Sequence, residues 1–242
     1  MDIAVVNTTF IITGGTSGVG LATAKALISE GARVLVSSRS RDRVDEATAE
    51  LGDGSHGIAV DNADPAAPHK LFDAAARTFP DSPVRGLFIS VGGPEKGKFF
   101  ETTEQQWRDA VDSVLLGTLR LARYAGDHLE SGSAIGMVLS SSVWNPVPNI
   151  AISNGLRPGL GMMVKTLADE LGPRGVRVIG VAPGVIRTPR VAGGNTAADH
   201  IPLQRLGEPE EFGRVAAFLM SPAASYMTGS VIPVDGGLVR SL

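Results

Sequence analysis

The 242-residue chain contains no cysteine. Disulfides, thiolate metal centres and thiol nucleophiles are therefore excluded. Its four histidines, His56, His69, His128 and His200, are scattered without the spacing of a ligand pair, so no metal site is expected. Aromatic residues make up only 5% of the chain, and the two tyrosines, Tyr124 and Tyr226, leave phenol chemistry few candidates. Neither sign of charge dominates: 22 basic residues face 25 acidic ones, a net of −3, which gives nucleic acid or an anionic membrane no electrostatic reason to bind. Nowhere do eighteen apolar residues follow one another, and the N-terminus has no basic segment leading into an apolar run. A membrane span and a secretion signal are not expected, the expected location is cytoplasmic, and the expected partner is a small molecule.

What is present is an alternation. "TTFIITGG" is a short apolar, β-branched run ending in glycine, and the alanine-rich helix "VGLATAKALISEGA" follows it. "RVLVSS" then leads to "RDRVDEATAELG", "GIAVD" to "APHKLFDAAARTF", and "VRGLFISVGG" to one long helix, "TEQQWRDAVDSVLLGTLRLARYAGDHL". "SAIGMVLSSS", "VRVIGVAPG" and "GSVIPVDGG" read as further strands, with "MMVKTLADELG" and "PEEFGRVAAFLM" as helices between them. Continuous apolar runs alternating with amphipathic helices predict an α/β fold: a Rossmann-type, doubly wound parallel sheet of about seven strands with helices on both faces. No linker composition divides the chain, so one domain over residues 1–242 is expected. Ligands of such sheets bind beyond the carboxyl ends of the strands, which makes the loops after those strands the place to seek chemistry.

The first of these loops is "TGGTSGVG", Thr13 to Gly20. Gly14 allows a sharp turn off the strand, Gly18 lets backbone approach a pyrophosphate, and Gly20 lets the helix pack close, while the helix N-terminus offers free N–H groups. The Thr-Gly-x-x-x-Gly-x-Gly spacing, together with "VAPGVIRTP", "RLGEPEEFGRVAAFLMSPAASYMTG" and "VIPVDGG" in this order, resembles the short-chain dehydrogenase/reductase family over nearly the whole chain. The resemblance implies a nicotinamide dinucleotide. Gly14, Thr16, Ser17, Gly18 and Val19 would cradle it, Asp61 and Asn62 would meet the adenine, and Gly92 and the loop of Pro183, Gly184, Ile186 and Thr188 would surround the nicotinamide half. In NAD-binding members an acidic residue ends the second strand. Here Ser38 stands there, followed by Arg39, which points to NADP(H) over NAD(H); the alternative is that Arg39 and Arg41 only solvate the next helix. A homotetramer or homodimer is implied as well.

The reacting end departs from the family. Its tyrosine acid, its lysine four residues on and its water-anchoring asparagine fall on Ser153, Arg157 and Val114. The substrate-polarising serine is carried over to Ser140, thirteen residues before Ser153, although the local serine-valine pattern would choose Ser142. Ser140, Ser153 and Arg157 are the expected catalytic set, with Arg157 holding the ribose or a developing oxyanion. An alkyl hydroxyl is a far weaker acid than a phenol, and a guanidinium stays protonated, so slow turnover is expected. Pro158 predicts a kink or a helix start at Arg157. "ISVG" (89–92) replaces the family's Asn-Asn-Ala-Gly, predicting a less rigid fourth-strand loop. Residues 188–207 form a short substrate-covering loop whose tip, "AGGNTAAD", is expected to be disordered without ligand. His200, in that loop, is the alternative acid. Two readings result: a slow NADP(H)-dependent oxidoreductase acting on a carbonyl or alcohol, or a non-catalytic dinucleotide-binding sensor or assembly subunit.

Overall fold

The apolar runs form seven strands: β1 (Thr9–Thr13), β2 (Arg33–Ser38), β3 (Ser55–Ala59), β4 (Val84–Ile89), β5 (Ala134–Val138), β6 (Arg177–Pro183) and β7 (Ser230–Val234). The computed structural model describes residues 3–189, 191 and 198–241. Every strand pair is parallel. Their order is β3-β2-β1-β4-β5-β6-β7, so strand order reverses between β1 and β4 and opens a crevice at the carboxyl edge there.

Both faces of the sheet are covered. Ile11, Leu35, Leu87 and Ile135 point to one face, where Leu71, Leu121, Leu160 and Val164 of helices α3 (Ala67–Thr78), α5 (Gly117–His128) and α6 (Ala151–Leu171) bury them. Their neighbours Ile12, Val34, Val36 and Phe88 point to the other, against Leu27 of α1 (Gly18–Ser29) and Phe212 of α7 (Pro209–Met220). Helix α2 (Arg41–Leu51) adds Leu51 to this second core. This two-sided burial is why the strands read as unbroken apolar runs. No described helix is long and apolar enough to cross a membrane.

Two local expectations need correction. The long helix is not uniform: α4 (Glu104–Ala110) passes through a π-helical turn over Val111–Leu116 before α5 begins. In that turn the Gly117 N–H donates to the Asp112 carbonyl five residues back, and Val114 is buried. α6, in turn, starts at Ala151 and includes Pro158, rather than starting at Arg157. An interior proline costs about 3 kcal/mol. Ile152, Leu156 and Leu160 are all buried on this stretch, and each contributes roughly 1.5–3 kcal/mol, so packing outweighs the proline. The Asn154 side chain adds a clamp on the incoming loop, accepting from the Val147 N–H at 3.1 Å and donating to the Val147 carbonyl at 2.8 Å.

The covering loop is closed at its base. Ile186 and Gly207 form a parallel bridge. The Arg187 N–H donates to the Gly207 carbonyl at 2.8 Å, and Arg187 pairs with Glu208 at 2.9 Å. Most of the expected tip, residues 192–197, lies outside the described residues.

Candidate dinucleotide cleft

A cleft of about 680 Å³ lies over the carboxyl ends of the strands, where β1 and β4 separate. The expected catalytic set and the residues expected to hold the dinucleotide line it, whereas Gly20, Arg41, Ser142 and His200 do not. Gly14, Thr16, Ser17, Gly18 and Val19 come from the β1–α1 turn, and Ser38 and Arg39 from the end of β2. Asp61 and Asn62 follow β3, Gly92 follows β4, and Ser140 follows β5. Ser153 and Arg157 come from α6, and Pro183, Gly184, Ile186 and Thr188 follow β6.

The β1–α1 turn is shaped by sterics. Gly14 has φ +57°, and a β-carbon on it would sit 2.0 Å from the Ser90 carbonyl oxygen. Only glycine fits there. Gly18, at φ +52°, brings the first turn of α1 against Thr188. The N-cap residue Ser17 makes no side-chain cap, and no acidic residue occupies the first turn. The positive end of α1 is therefore open to an anion at the cleft floor.

The fourth-strand loop is tied to β1 through its backbone. Thr13, buried at the end of β1, accepts a hydrogen bond from the Ser90 N–H at 3.1 Å and one from the Asn62 side-chain amide at 3.5 Å. One hydroxyl thus links the loops after β3 and β4 to β1. Asp61 is held in its own turn by accepting from the Ala63 N–H at 2.9 Å.

At the end of β2 the sequence reading misses a residue. Arg43, in the first turn of α2, lines the cleft with Arg39, and neither guanidinium has a hydrogen-bond or ion-pair partner among the described residues. Arg41 instead pairs with Asp45 at 3.1 Å, away from the cleft. Arg39 precedes the helix and Arg43 lies within its first turn, so no helical spacing links the two in the sequence.

At the opposite end, Ser140 is the one serine of its triplet that lines the cleft, whereas Ser142 is buried with its hydroxyl unpartnered. The Ser140 hydroxyl accepts from the Ser142 N–H at 3.1 Å, which leaves its proton available to a ligand. Ser153, from the first turn of α6, lines the cleft, and its hydroxyl has no hydrogen-bond partner among the described residues. Val114 adds an apolar wall, and Ser113 beside it also lines the cleft, its hydroxyl donating to the Asp109 carbonyl at 2.7 Å. Lys96 and Gln106 complete this mouth and carried no sequence signal. The Arg157 side chain is buried at 4% exposure; its Nη1 donates to the Val138 carbonyl and its Nη2 to the Val91 carbonyl at 3.3 Å.

Tyrosine and histidine stay outside. Tyr124 stacks on His128 at 3.9 Å and meets Phe72 edge-on, and Tyr226 is fully exposed. His200 is exposed and does not line the cleft. Among the described residues no group of acidic, histidine or cysteine side chains could hold a metal ion.

A glycine-bounded anion cradle, uncapped helix, free arginine pair and parallel-sheet crevice suit a dinucleotide, and known proteins agree. The family model described as enoyl-(acyl carrier protein) reductase matches residues 14–239. The 3beta-hydroxysteroid dehydrogenase 1 of Eggerthella lenta is 34% identical over 95% of this chain and 93% of its own. Among solved structures, a short-chain dehydrogenase/reductase from Brucella melitensis superposes with a TM-score of 0.93 at 29% identity, over the whole of both chains. A 3-ketoacyl-(acyl-carrier-protein) reductase from the same organism, complexed with NADH, gives 0.89 at 28% identity, covering 98% of this chain and 100% of that one. Matched by the family model over residues 14–239 and 34% identical to a dehydrogenase along nearly the whole of both chains, this chain belongs to the short-chain dehydrogenase/reductase family.

Proposed function

We propose that the protein is an NADP(H)-dependent oxidoreductase that acts slowly on the carbonyl or alcohol group of a small molecule. One observation carries the cofactor preference: beside Ser38, Arg39 and Arg43 bring two guanidinium groups with no acidic partner among the described residues to one end of the cleft. A guanidinium fork matches a 2′-phosphate, and an aspartate at position 38 would repel it. The open N-terminus of α1 suits the pyrophosphate, and the cleft residues after β4 and β6 suit the nicotinamide half. When bound, the nicotinamide would supply or accept a hydride.

The chain's own groups set the rate. Ser140 donates its hydroxyl proton toward the substrate oxygen and orients it. Ser153 passes a proton between that oxygen and water entering from the mouth. A phenol with a pKa of about 10 does this far better than an alkyl hydroxyl, and no tyrosine, histidine or cysteine lines the cleft among the described residues. Slow turnover follows from that absence. The same observation favours a second reading, a dinucleotide-binding sensor or assembly subunit without turnover. Self-association as a homodimer or homotetramer through α6 is supported by exposed Met162 and the open space beside Gly159.

Stopped-flow mixing of the protein with NADPH and a panel of ketones and aldehydes tests the proposal. Slow, saturable oxidation with at least one carbonyl is the expected result. Tight binding with no oxidation across the panel selects the sensor.

A further inference from the structure

We infer that Arg157 is a positioning residue: a strap that joins the diverging ends of β4 and β5 and so fixes the floor of the cleft. The ladder between these strands ends at the pair Ile89–Met137. Just beyond it, the Val91 and Val138 carbonyls both accept from one guanidinium, Nη2 to Val91 at 3.3 Å and Nη1 to Val138. The side chain thus continues across the gap the connection that backbone bonds make below it.

The residues next along each chain are functional. Gly92 follows Val91, Ser140 lies two beyond Val138, and both line the cleft. Their separation is set by whatever holds the two carbonyls together. Planar guanidinium, with two terminal nitrogens in a rigid fork, spans two acceptors in a fixed geometry, whereas an ammonium offers all its donors from one nitrogen on a flexible stem. The carbonyl dipoles in turn offset part of the desolvation of a cation that is 96% buried by its 4% exposure. In this account the family's lysine position has become a structural tie rather than a ribose contact. The inference deepens the dinucleotide reading and rests on it for its nucleotide arm alone.

The test compares the full-length protein with Arg157→Ala and Arg157→Lys, using NADPH, adenosine 2′,5′-bisphosphate and millimolar guanidinium chloride as probes. The adenosine bisphosphate occupies only the Arg39 end. Both variants should bind NADPH about tenfold or more weakly, the scale of losing hydrogen bonds from a charged group, yet bind the bisphosphate as the parent does. Guanidinium should restore the NADPH affinity of Arg157→Ala and raise its melting temperature, while sodium chloride at equal strength does neither and the parent shows no rise. Parent-like NADPH binding by Arg157→Lys would mean a ribose grip and overturn the strap. So would equal loss of both ligands in a folded variant, or no response of Arg157→Ala to guanidinium. If the parent binds neither nucleotide, the proposed function fails, and the melting response alone decides the strap. If neither variant folds, the Arg157 Nη protons of the parent decide it: slow exchange with water supports the strap, and exchange as fast as that of exposed arginines overturns it.

Discussion

Gly14 backs directly onto Ser90: at a φ of +57° its missing β-carbon would lie 2.0 Å from the Ser90 carbonyl oxygen. The oxygen is backbone and cannot swing away, since the Ser90 N–H is itself held by Thr13 at 3.1 Å. Gly14→Ala combines a disfavoured backbone region with a main-chain clash. It should lower unfolding free energy by roughly 2–4 kcal/mol, read from the midpoint of urea denaturation. A loss of a few tenths would show that the turn can yield.

Arg39 and Arg43 line one end of the cleft with guanidinium groups that have no partner among the described residues. Replacing either by alanine should weaken NADPH by about tenfold, and replacing both by more, with NADH affinity within about twofold of the parent. Titration calorimetry with both cofactors makes the comparison. Equal loss of NADH would remove the link to the 2′-phosphate.

Ser140 and Ser153 should separate from the binding residues kinetically. Ser140→Ala should lower kcat by about tenfold or more with the dissociation constant of NADPH unchanged, because the hydroxyl acts on the substrate oxygen. Ser153→Ala should do the same, and the double variant should lose less than the product of the two, as expected for groups serving one proton path. Transient kinetics under saturating NADPH reads both.

Arg177 makes the opposite prediction. It is 8% exposed, desolvation holds its pKa below the usual arginine value, and it donates to the carbonyls of Leu219 and Ser221 at 2.8 Å and of Met227 at 3.2 Å. It secures the end of α7 to β6, far from the cleft lining. Arg177→Ala strands those buried carbonyls and should cost about 3 kcal/mol or more of stability, with NADPH affinity unchanged in the fraction that folds.

Acid stability carries one residue's signature. The paired hydrogen bonds of Arg205, both at 2.7 Å, and the Glu208 N–H hold Glu211 down to a pKa of about 2, from an ordinary 4.5. A depressed carboxylate stabilises the fold above its unfolded value and loses that contribution as pH falls through the folded one. Glu211→Gln should therefore lower the melting temperature by a constant amount above pH 5, with the difference shrinking from pH 4.5 down to about 2. A difference that does not change over that window would assign the effect to shape rather than charge.

The fold was readable because its signals are local. Ile11 and Ile12 go to opposite cores, and that two-sided demand writes a continuous apolar run into β1. The cleft was readable because the turns off β1 and β6 carry glycine and proline for steric reasons that sequence preserves. Three features were not. α6 runs through Pro158 because Ile152, Leu156 and Leu160 bury a face whose packing outweighs a local breaker. The fourth-strand loop is tied by Thr13, a residue 77 positions from Ser90, and no local pattern reports such a bond. Arg157 showed its charge but not its direction, because the Val91 and Val138 carbonyls that hold it are identical in every sequence.

The most direct test of the central claim is a calorimetric titration of the unaltered protein with NADPH and with NADH. The account predicts saturable binding of both at one site per chain, with NADPH the tighter by about tenfold or more. No heat with either, in protein shown to be folded, would contradict it.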